Sequence, residues 1–298
     1  MDKQKMFDQM AHGKGFIAAL DQSGGSTPGA LRLYGIPDSA YSGDEEMFRL
    51  MHEMRVRIIT APAFTGSSVL GTILFERTMD GEIKGKSSPA YLWEDRGVVP
   101  FVKVDQGLEA EQDGVRLMKP LTKLDPLLAR AVKLGVFGTK MRSVIEMASH
   151  NGINAIVDQQ FEAAARISAQ GLIPIIEPEV SVKSPQKKEA EAILCDSIMR
   201  KVDALPQNGK VMLKLTLPTV PDLYAPLIGH QNVVRVVALS GGYTRAEACK
   251  HLAANHGLIA SFSRALAEGL TKQMSDDAFN AALGQSIKEI YQASTVKA

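Results

Sequence analysis

The run LIPIIEPE at 172–179 begins as a buried strand and ends on a pair of carboxylates. Alternate residues of a strand share a face, so Ile173, Ile175, Glu177 and Glu179 point the same way. Apolar residues early on that face and acids late describe a strand that leaves a dry core and enters a polar cavity. Seven further short apolar runs also close on polar residues: GFIAALDQ (15–22), GTILFER (71–77), VVPFVKVD (98–105), VFGTKMR (136–142), VMLKLT (211–216), VVRVVALSGG (233–242) and LIASFSR (258–264).

Helix-like stretches lie between these runs. Residues 154–170 carry Ile156, Val157, Gln160, Phe161, Ala164 and Ile167 on one face at helical spacing. The stretch 184–205 opens with Ser184-Pro185, a cap followed by proline at the first helical position. Thr244 and Glu247 have capping-box spacing, Gly257 follows the last turn, and 275–293 opens with Ser275 ahead of Phe279, Leu283, Ile287 and Ile290. Met47, Leu50, Met51 and Met54 look helical, and RIITAPAF (57–64) reads as that helix running into a loop rather than an extra strand. Strands alternating with helices imply parallel βαβ units. Eight units in 298 residues favour an α/β fold of the (β/α)8 type, a TIM barrel, although periodicity alone leaves room for an open doubly wound sheet. With no linker, repeat or low-complexity tract, the expectation is a single barrel domain over 1–298.

Composition narrows the function. The chain is 45% hydrophobic and 22% charged, as a globular protein with a full core should be. Thirty-four Lys and Arg against 33 Asp and Glu leave a net charge of +1, with no global attraction to nucleic acid or an anionic membrane. The start, Met1 to Gly15, lacks an apolar core, and no run of about 18 apolar residues occurs, so neither a signal peptide nor a membrane span is expected. Cys195 and Cys249 fall in helix-like patterns, which fits a reducing cytoplasm better than a disulfide framework.

The strand rule then exposes an anomaly. Lys103 and Asp105 share a face with Val99 and Phe101. Lys140 and Arg142 share one with Gly138, Lys214 with Met212, and Asp21 with Ile17 and Ala19. A lone charge at a strand end usually marks the strand meeting solvent. Five strands carrying charge at the same end are a different matter, because burying even one unpaired charge costs several kcal/mol or forces a pKa shift. In a barrel that end is the active-site face. Clustered lysines and carboxylates there suit an anionic substrate. Desolvation and neighbouring cations lower an amine pKa and free a nucleophile able to form an iminium on a ketone. Lys103, Lys140 and Lys214 are all candidates, and Lys214, flanked by Leu213 and Leu215, is the most apolar. Glu177 and Glu179, two apart, should repel so that one stays protonated as an acid. Ser240-Gly241-Gly242 precedes the capped helix near Thr244, and Arg264 follows the eighth run. These are the positions where barrels bind phosphate.

The segments FIAALDQSGGST, ILFERTMD, VVPFVKVD, GTKMR, PIIEPE, VMLKLT, ALSGG and ASFSRALA, in this order, resemble class I fructose-bisphosphate aldolases, with the shorter bacterial branch closest. The resemblance runs from about Gly13 to Tyr291. It implies reversible cleavage of fructose 1,6-bisphosphate into dihydroxyacetone phosphate and glyceraldehyde 3-phosphate, a step of glycolysis and gluconeogenesis, through a lysine Schiff base. By position it implies Lys214 as the Schiff-base lysine, Glu177 as the proton shuttle in carbinolamine dehydration, and Glu179 as the carboxylate that orients the lysine. It further implies Asp21 at C–C cleavage and Lys140 stabilising charge near the cleaved bond. Lys103, Ser23 and Ser26 would contact the distal phosphate, and Ser240, Gly241 and Arg264 the ketone-side phosphate. Losing Arg264 is expected to cost about 2–5 kcal/mol if the contact is desolvated.

Two departures stand out. Longer members use a tyrosine on a mobile C-terminal tail, whereas Tyr291 lies in a helical pattern here, and that role is not carried over. They also have glycine before the arginine, where this chain has Ser263. Neither cofactor nor metal is expected. His12, His52, His150, His230, His251 and His256 avoid the strand ends, and His251 and His256 are five apart, off one-face helical spacing. The partner is then a small sugar phosphate, in the cytoplasm, with no nucleic acid or membrane and with room for a homo-oligomer. Two other readings stay open: a Schiff-base aldolase for another ketose phosphate, for which Ser23, Ser26 and Lys103 would have no purpose with a monophosphate, and a non-catalytic scaffold, in which buried charges would serve nothing.

Overall fold

The computed structural model describes residues 2–298, so Met1 of the expected 1–298 domain lies outside the described residues. Eight parallel strands close into a barrel: β1 Phe16–Leu20, β2 Val69–Leu74, β3 Val99–Lys103, β4 Gly138–Ile145, β5 Ile173–Val180, β6 Val211–Thr216, β7 Val233–Leu239 and β8 Ile259–Phe262. Each pairs with the next, and β8 returns to β1 through Ile17↔Ser261 and Ala18↔Phe262. Each of the eight expected runs contains one of these strands or overlaps it. An open sheet is excluded by the β8–β1 pairing. β4 extends past its expected end because Val115 and Arg116 pair antiparallel with Ile145 and Val144.

Alternation along the strands sorts the core into two clusters. Ile17, Ala19, Ile73, Val99, Phe101, Ile175, Met212, Val237 and Ile259 fill the barrel interior. The alternate residues, such as Val102, Ile176, Leu213 and Val236, meet the apolar stripes of the outer helices. Gly138 makes the interior possible. A Cβ there would lie 2.2 Å from the Ile173 carbonyl oxygen and 2.8 Å from the Phe101 ring, so glycine is what admits the ring.

The main helices are α1 Lys3–His12, α2 Gly43–Thr60, α3 Leu124–Lys133, α4 His150–Ala169, α5 Lys187–Asp203, α6 Arg245–Ala253 and α7 Asp276–Thr295. Thr244 and Glu247 form the expected capping box on α6, and Ser275 caps α7. RIITAPAF is the end of α2 running into a turn. The Ser184-Pro185 cap is not formed. α5 starts at Lys187, and the Ser184 hydroxyl instead accepts from the Gln186 amide at 3.2 Å within the preceding turn.

Sequence reading missed α1, which seals the lower mouth of the barrel. Met6 and Met10, four apart and fully buried, complete the interior cluster. Arg235, on the inner face low on β7, donates to the carbonyls of Met10 at 2.9 Å and Gly13 at 3.1 Å. It therefore holds the negative end of the α1 dipole. Among the described residues no helix is long and apolar enough to cross a membrane.

Candidate active site

The upper mouth is a cavity of about 670 Å³. All the expected site residues line it: Asp21, Ser23 and Ser26 after β1, Lys103 on β3, Lys140 on β4, Glu177 and Glu179 on β5, Lys214 on β6, Ser240 and Gly241 after β7, and Arg264 after β8. The inward face that is apolar lower down becomes charged here, as strand alternation requires.

Glu177 sits at the centre. Its Oε1 lies 2.9 Å from Lys214 Nζ and its Oε2 2.9 Å from Lys140 Nζ. Lys140 Nζ also lies 2.6 Å from Asp21 Oδ2 and 4.0 Å from Asp105 Oδ2. Glu177, Lys140, Asp21 and Lys214 are all buried. Gln160, buried on α4, fixes the backbone beneath them, accepting from the Glu177 amide at 2.8 Å and donating to Ser143 at 3.0 Å.

The electrostatics follow from this packing. Burial alone would raise the Asp21 carboxyl, yet Lys140, Lys214 and Lys103 hold it well below the ordinary carboxylate range. Burial likewise works against the Glu177 carboxylate, and Lys140 and Lys214 overcome it, so Glu177 is ionised at rest. Glu177 is therefore not the expected resting acid. The two lysines also outweigh the repulsion from Asp21. Burial works against the Lys140 charge, but Asp21, Glu177 and Asp105 lift its pKa above that of an ordinary lysine. These carboxylates favour the ammonium form of Lys140 and so work against it as a nucleophile. Burial, with Lys140 beside it, lowers Lys103 despite its ion pair with Asp105.

Glu179 is placed differently from the expectation. Its Oε2 lies 2.5 Å from Arg142 Nε, and no ion pair joins it to Lys214. The carboxylate on the lysine is Glu177. Arg142, whose Cα is in register with Glu177, reaches diagonally toward the mouth and claims Glu179 on the way. Asp105 accepts from both Lys103 and the Arg142 amide. Arg142 and Asp105 were on the predicted inner face without a predicted role.

The phosphate candidates occupy two sides of the rim. Ser23 and Ser26 close a short turn, with the Ser26 hydroxyl donating to the Ser23 carbonyl at 3.0 Å and accepting from its amide at 3.1 Å. Opposite them, Gly241 and Gly242 take positive φ of 60° and 109°, and the Arg264 guanidinium lies 3.4 Å from where a Gly242 side chain would begin. Arg264 is exposed and has no carboxylate partner among the described residues. Ser261, on the inner face of β8, was also missed; it lines the cavity with a buried hydroxyl that has no partner.

No group of three or more His, Cys, Asp or Glu with metal-holding geometry occurs among the described residues. His230 and His256 pair with Asp203 and Asp222 at 3.1 and 2.9 Å, away from the cavity.

A family profile described as fructose-bisphosphate aldolase class-I matches residues 4–222. A fructose-bisphosphate aldolase class 1 of Synechocystis is 56% identical over 291 residues, covering 98% of this chain and 97% of the relative. One of Clostridium acetobutylicum is 53% identical over 291 residues, covering 98% and 99%. Among solved structures, an aldolase of Plasmodium falciparum, crystallised with TRAP and a small-molecule inhibitor, superposes with a TM-score of 0.77 at 18% identity, covering 99% of this chain and 96% of that one, a likeness of fold.

Proposed function

The chain belongs to the class I fructose-bisphosphate aldolase family, and from that premise we propose how its own residues divide the work. The reaction is the reversible cleavage of fructose 1,6-bisphosphate to dihydroxyacetone phosphate and glyceraldehyde 3-phosphate, a carbon–carbon lyase step through a lysine Schiff base. We assign that lysine as Lys214. The observation that carries the assignment is Glu177, shared between Lys214 and Lys140, whose ammonium form three carboxylates favour.

The proton balance is simple. Lys214 passes a proton to the Glu177 carboxylate and attacks the ketone carbon as a neutral amine. The resulting carbinolamine loses its hydroxyl as water when Glu177 returns that proton. An iminium carries the charge the ammonium held, and Glu177 is again a carboxylate. The acid is thus made during the reaction by the lysine itself, which fits a site whose resting Glu177 is ionised.

We assign Asp21 to take the hydroxyl proton as the carbon–carbon bond breaks and its electron pair moves into the enamine. Lys140, held as an ammonium by three carboxylates, stabilises the oxygen of the departing aldehyde. We assign Ser240, Gly241 and Arg264 to the ketone-side phosphate, where the α6 N-terminus adds its dipole. Ser23, Ser26 and Lys103 take the distal phosphate. Glu179 keeps Arg142 at the mouth and acts on Lys214 only through the field. We further take the chain as one domain working in the cytoplasm on this small substrate, with no metal, nucleic acid or membrane involved.

Borohydride reduction in the presence of dihydroxyacetone phosphate tests the central assignment. The adduct is expected on Lys214, and an adduct on Lys103 or Lys140 alone overturns it. Lys214→Arg should abolish trapping, since a guanidinium stays protonated.

A further inference from the structure

β1 and β8 close the barrel, yet their ladder stops at Ala18↔Phe262. Above that pair the two chains separate, one toward Asp21 and Ser23, the other toward Arg264. A side-chain hydrogen bond spans the gap: Gln22 Nε2 donates to Ser263 Oγ at 2.7 Å. Gln22 is itself held from behind. Arg55, on α2 and 1% exposed, donates to the Gln22 carbonyl at 2.5 Å and to Thr78 Oγ1 at 2.8 Å. A buried arginine with no ion-pair partner is costly. Burial pulls its pKa down to about 10, while Asp21 acts to raise it. This arginine secures the residue that follows Asp21. Gln22, with Ala30, Leu33 and Arg264, lines both the substrate cleft and an adjoining cavity of about 270 Å³.

We propose that Gln22 and Ser263 are positioning residues that fix the separation of the two phosphate-binding ends, and so favour ketose bisphosphates over monophosphates. The proposal rests on the phosphate assignments made above. A bisphosphate is gripped at both ends and needs them in register. A 1-phosphate is gripped only at the Arg264 end and can follow that turn if it drifts. With the bridge gone, no side-chain hydrogen bond joins the Arg264 turn to the Asp21 segment above the Ala18↔Phe262 pair.

The test compares Ser263→Ala, Gln22→Ala and the double variant, measuring kcat and KM for fructose 1,6-bisphosphate and fructose 1-phosphate. The ratio of the two kcat/KM values is expected to fall about tenfold in each single variant, the worth of one hydrogen bond at the strong end of its range. The double variant should be no worse than the singles, because both remove the same contact. Ser263→Thr, which keeps the hydroxyl, should restore the ratio. Ser263→Gly deletes the acceptor a second way, should the alanine variant fold poorly. An unchanged ratio, equal losses on both sugars, or additive effects in the double variant would overturn the proposal. Arg264→Ala serves as the control. If it leaves KM for both sugars unchanged, the phosphate assignment has failed. If it raises KM while Ser263→Ala leaves the ratio intact, the bridge alone has failed.

Discussion

Glu177 meets two lysines with opposite duties, and single substitutions should separate them. Glu177→Gln keeps the shape and one acceptor oxygen for a lysine, loses the acceptor for the other, and can neither take nor return a proton. We expect kcat to fall by about 100-fold or more while substrate affinity changes little, with a pre-iminium intermediate accumulating in rapid-quench experiments. A fully formed iminium at the wild-type rate would exclude the shuttle role. The pH dependence has a definite sign. Asp21 and Glu177 have depressed folded-state pKa values, so they stabilise the fold above the ordinary carboxylate range, and that contribution is lost as pH falls through their folded values. Lys140, raised in the folded state, contributes fully below the ordinary lysine pKa and loses its contribution only as pH rises through the higher folded value. Denaturant titrations of wild type and Asp21→Asn should therefore converge in acid and separate toward neutrality. A constant offset from pH 3 to 7 would contradict this ion-pair account. Arg264, being exposed, should cost about 1.5–3 kcal/mol in kcat/KM on mutation to alanine, the range of hydrogen bonds to charged groups. The inward charges on β1 and β3 to β6 were legible because a period of two leaves no other face for them. Their pairing was not. Whether Glu177 or Glu179 meets Lys214 depends on Arg142 reaching across the strand register, and alternation within one strand carries no such information. Arg55 left a faint mark, a cation four residues after Met51 on an otherwise apolar helix face, and Gln22 left none.

At the scale of elements, the two ends of the barrel divide function from stability. The eight strands and the caps of α6 and α7 could be read from local chemistry, because turn residues and hydrophobic period act over a few residues. The end of β4 and the start of α5 were misplaced where a distant partner or a turn decided the boundary. The lower mouth was missed because α1 is a short helix whose buried face shows in sequence mainly as Met6 and Met10. Removing its anchor tests the division. Arg235→Leu loses two charge-assisted bonds to the α1 end, each worth about 1.5–3 kcal/mol. We expect a fall in Tm of several degrees with kcat unchanged, read by thermal melts and steady-state kinetics. A large loss of kcat with no change in Tm would mean that the lower mouth communicates with the chemistry. Gly138→Ala should be harsher, since backbone and an aromatic ring already occupy the space a methyl needs.

For the whole molecule, closure of the barrel could be inferred only from the number of βαβ units, since nothing local in the sequence joins β8 to β1. Activity is expected to survive prolonged chelation. Loss on chelation with recovery on added zinc would overturn the class I chemistry. The charge inventory of the upper mouth has a thermodynamic consequence. Five cations, Lys103, Lys140, Arg142, Lys214 and Arg264, face four carboxylates, Asp21, Asp105, Glu177 and Glu179, a formal surplus of one positive charge. A sugar bisphosphate brings about three to four negative charges at neutral pH, because each phosphate group has its second ionisation near pH 6. The loaded cavity is then strongly negative, and the system can relieve this by drawing protons from bulk water. Binding should thus be a proton-consuming event, tighter at pH 6 than at pH 8. Its calorimetric heat should change with the ionisation enthalpy of the buffer, and the slope of that dependence counts the protons captured per substrate bound.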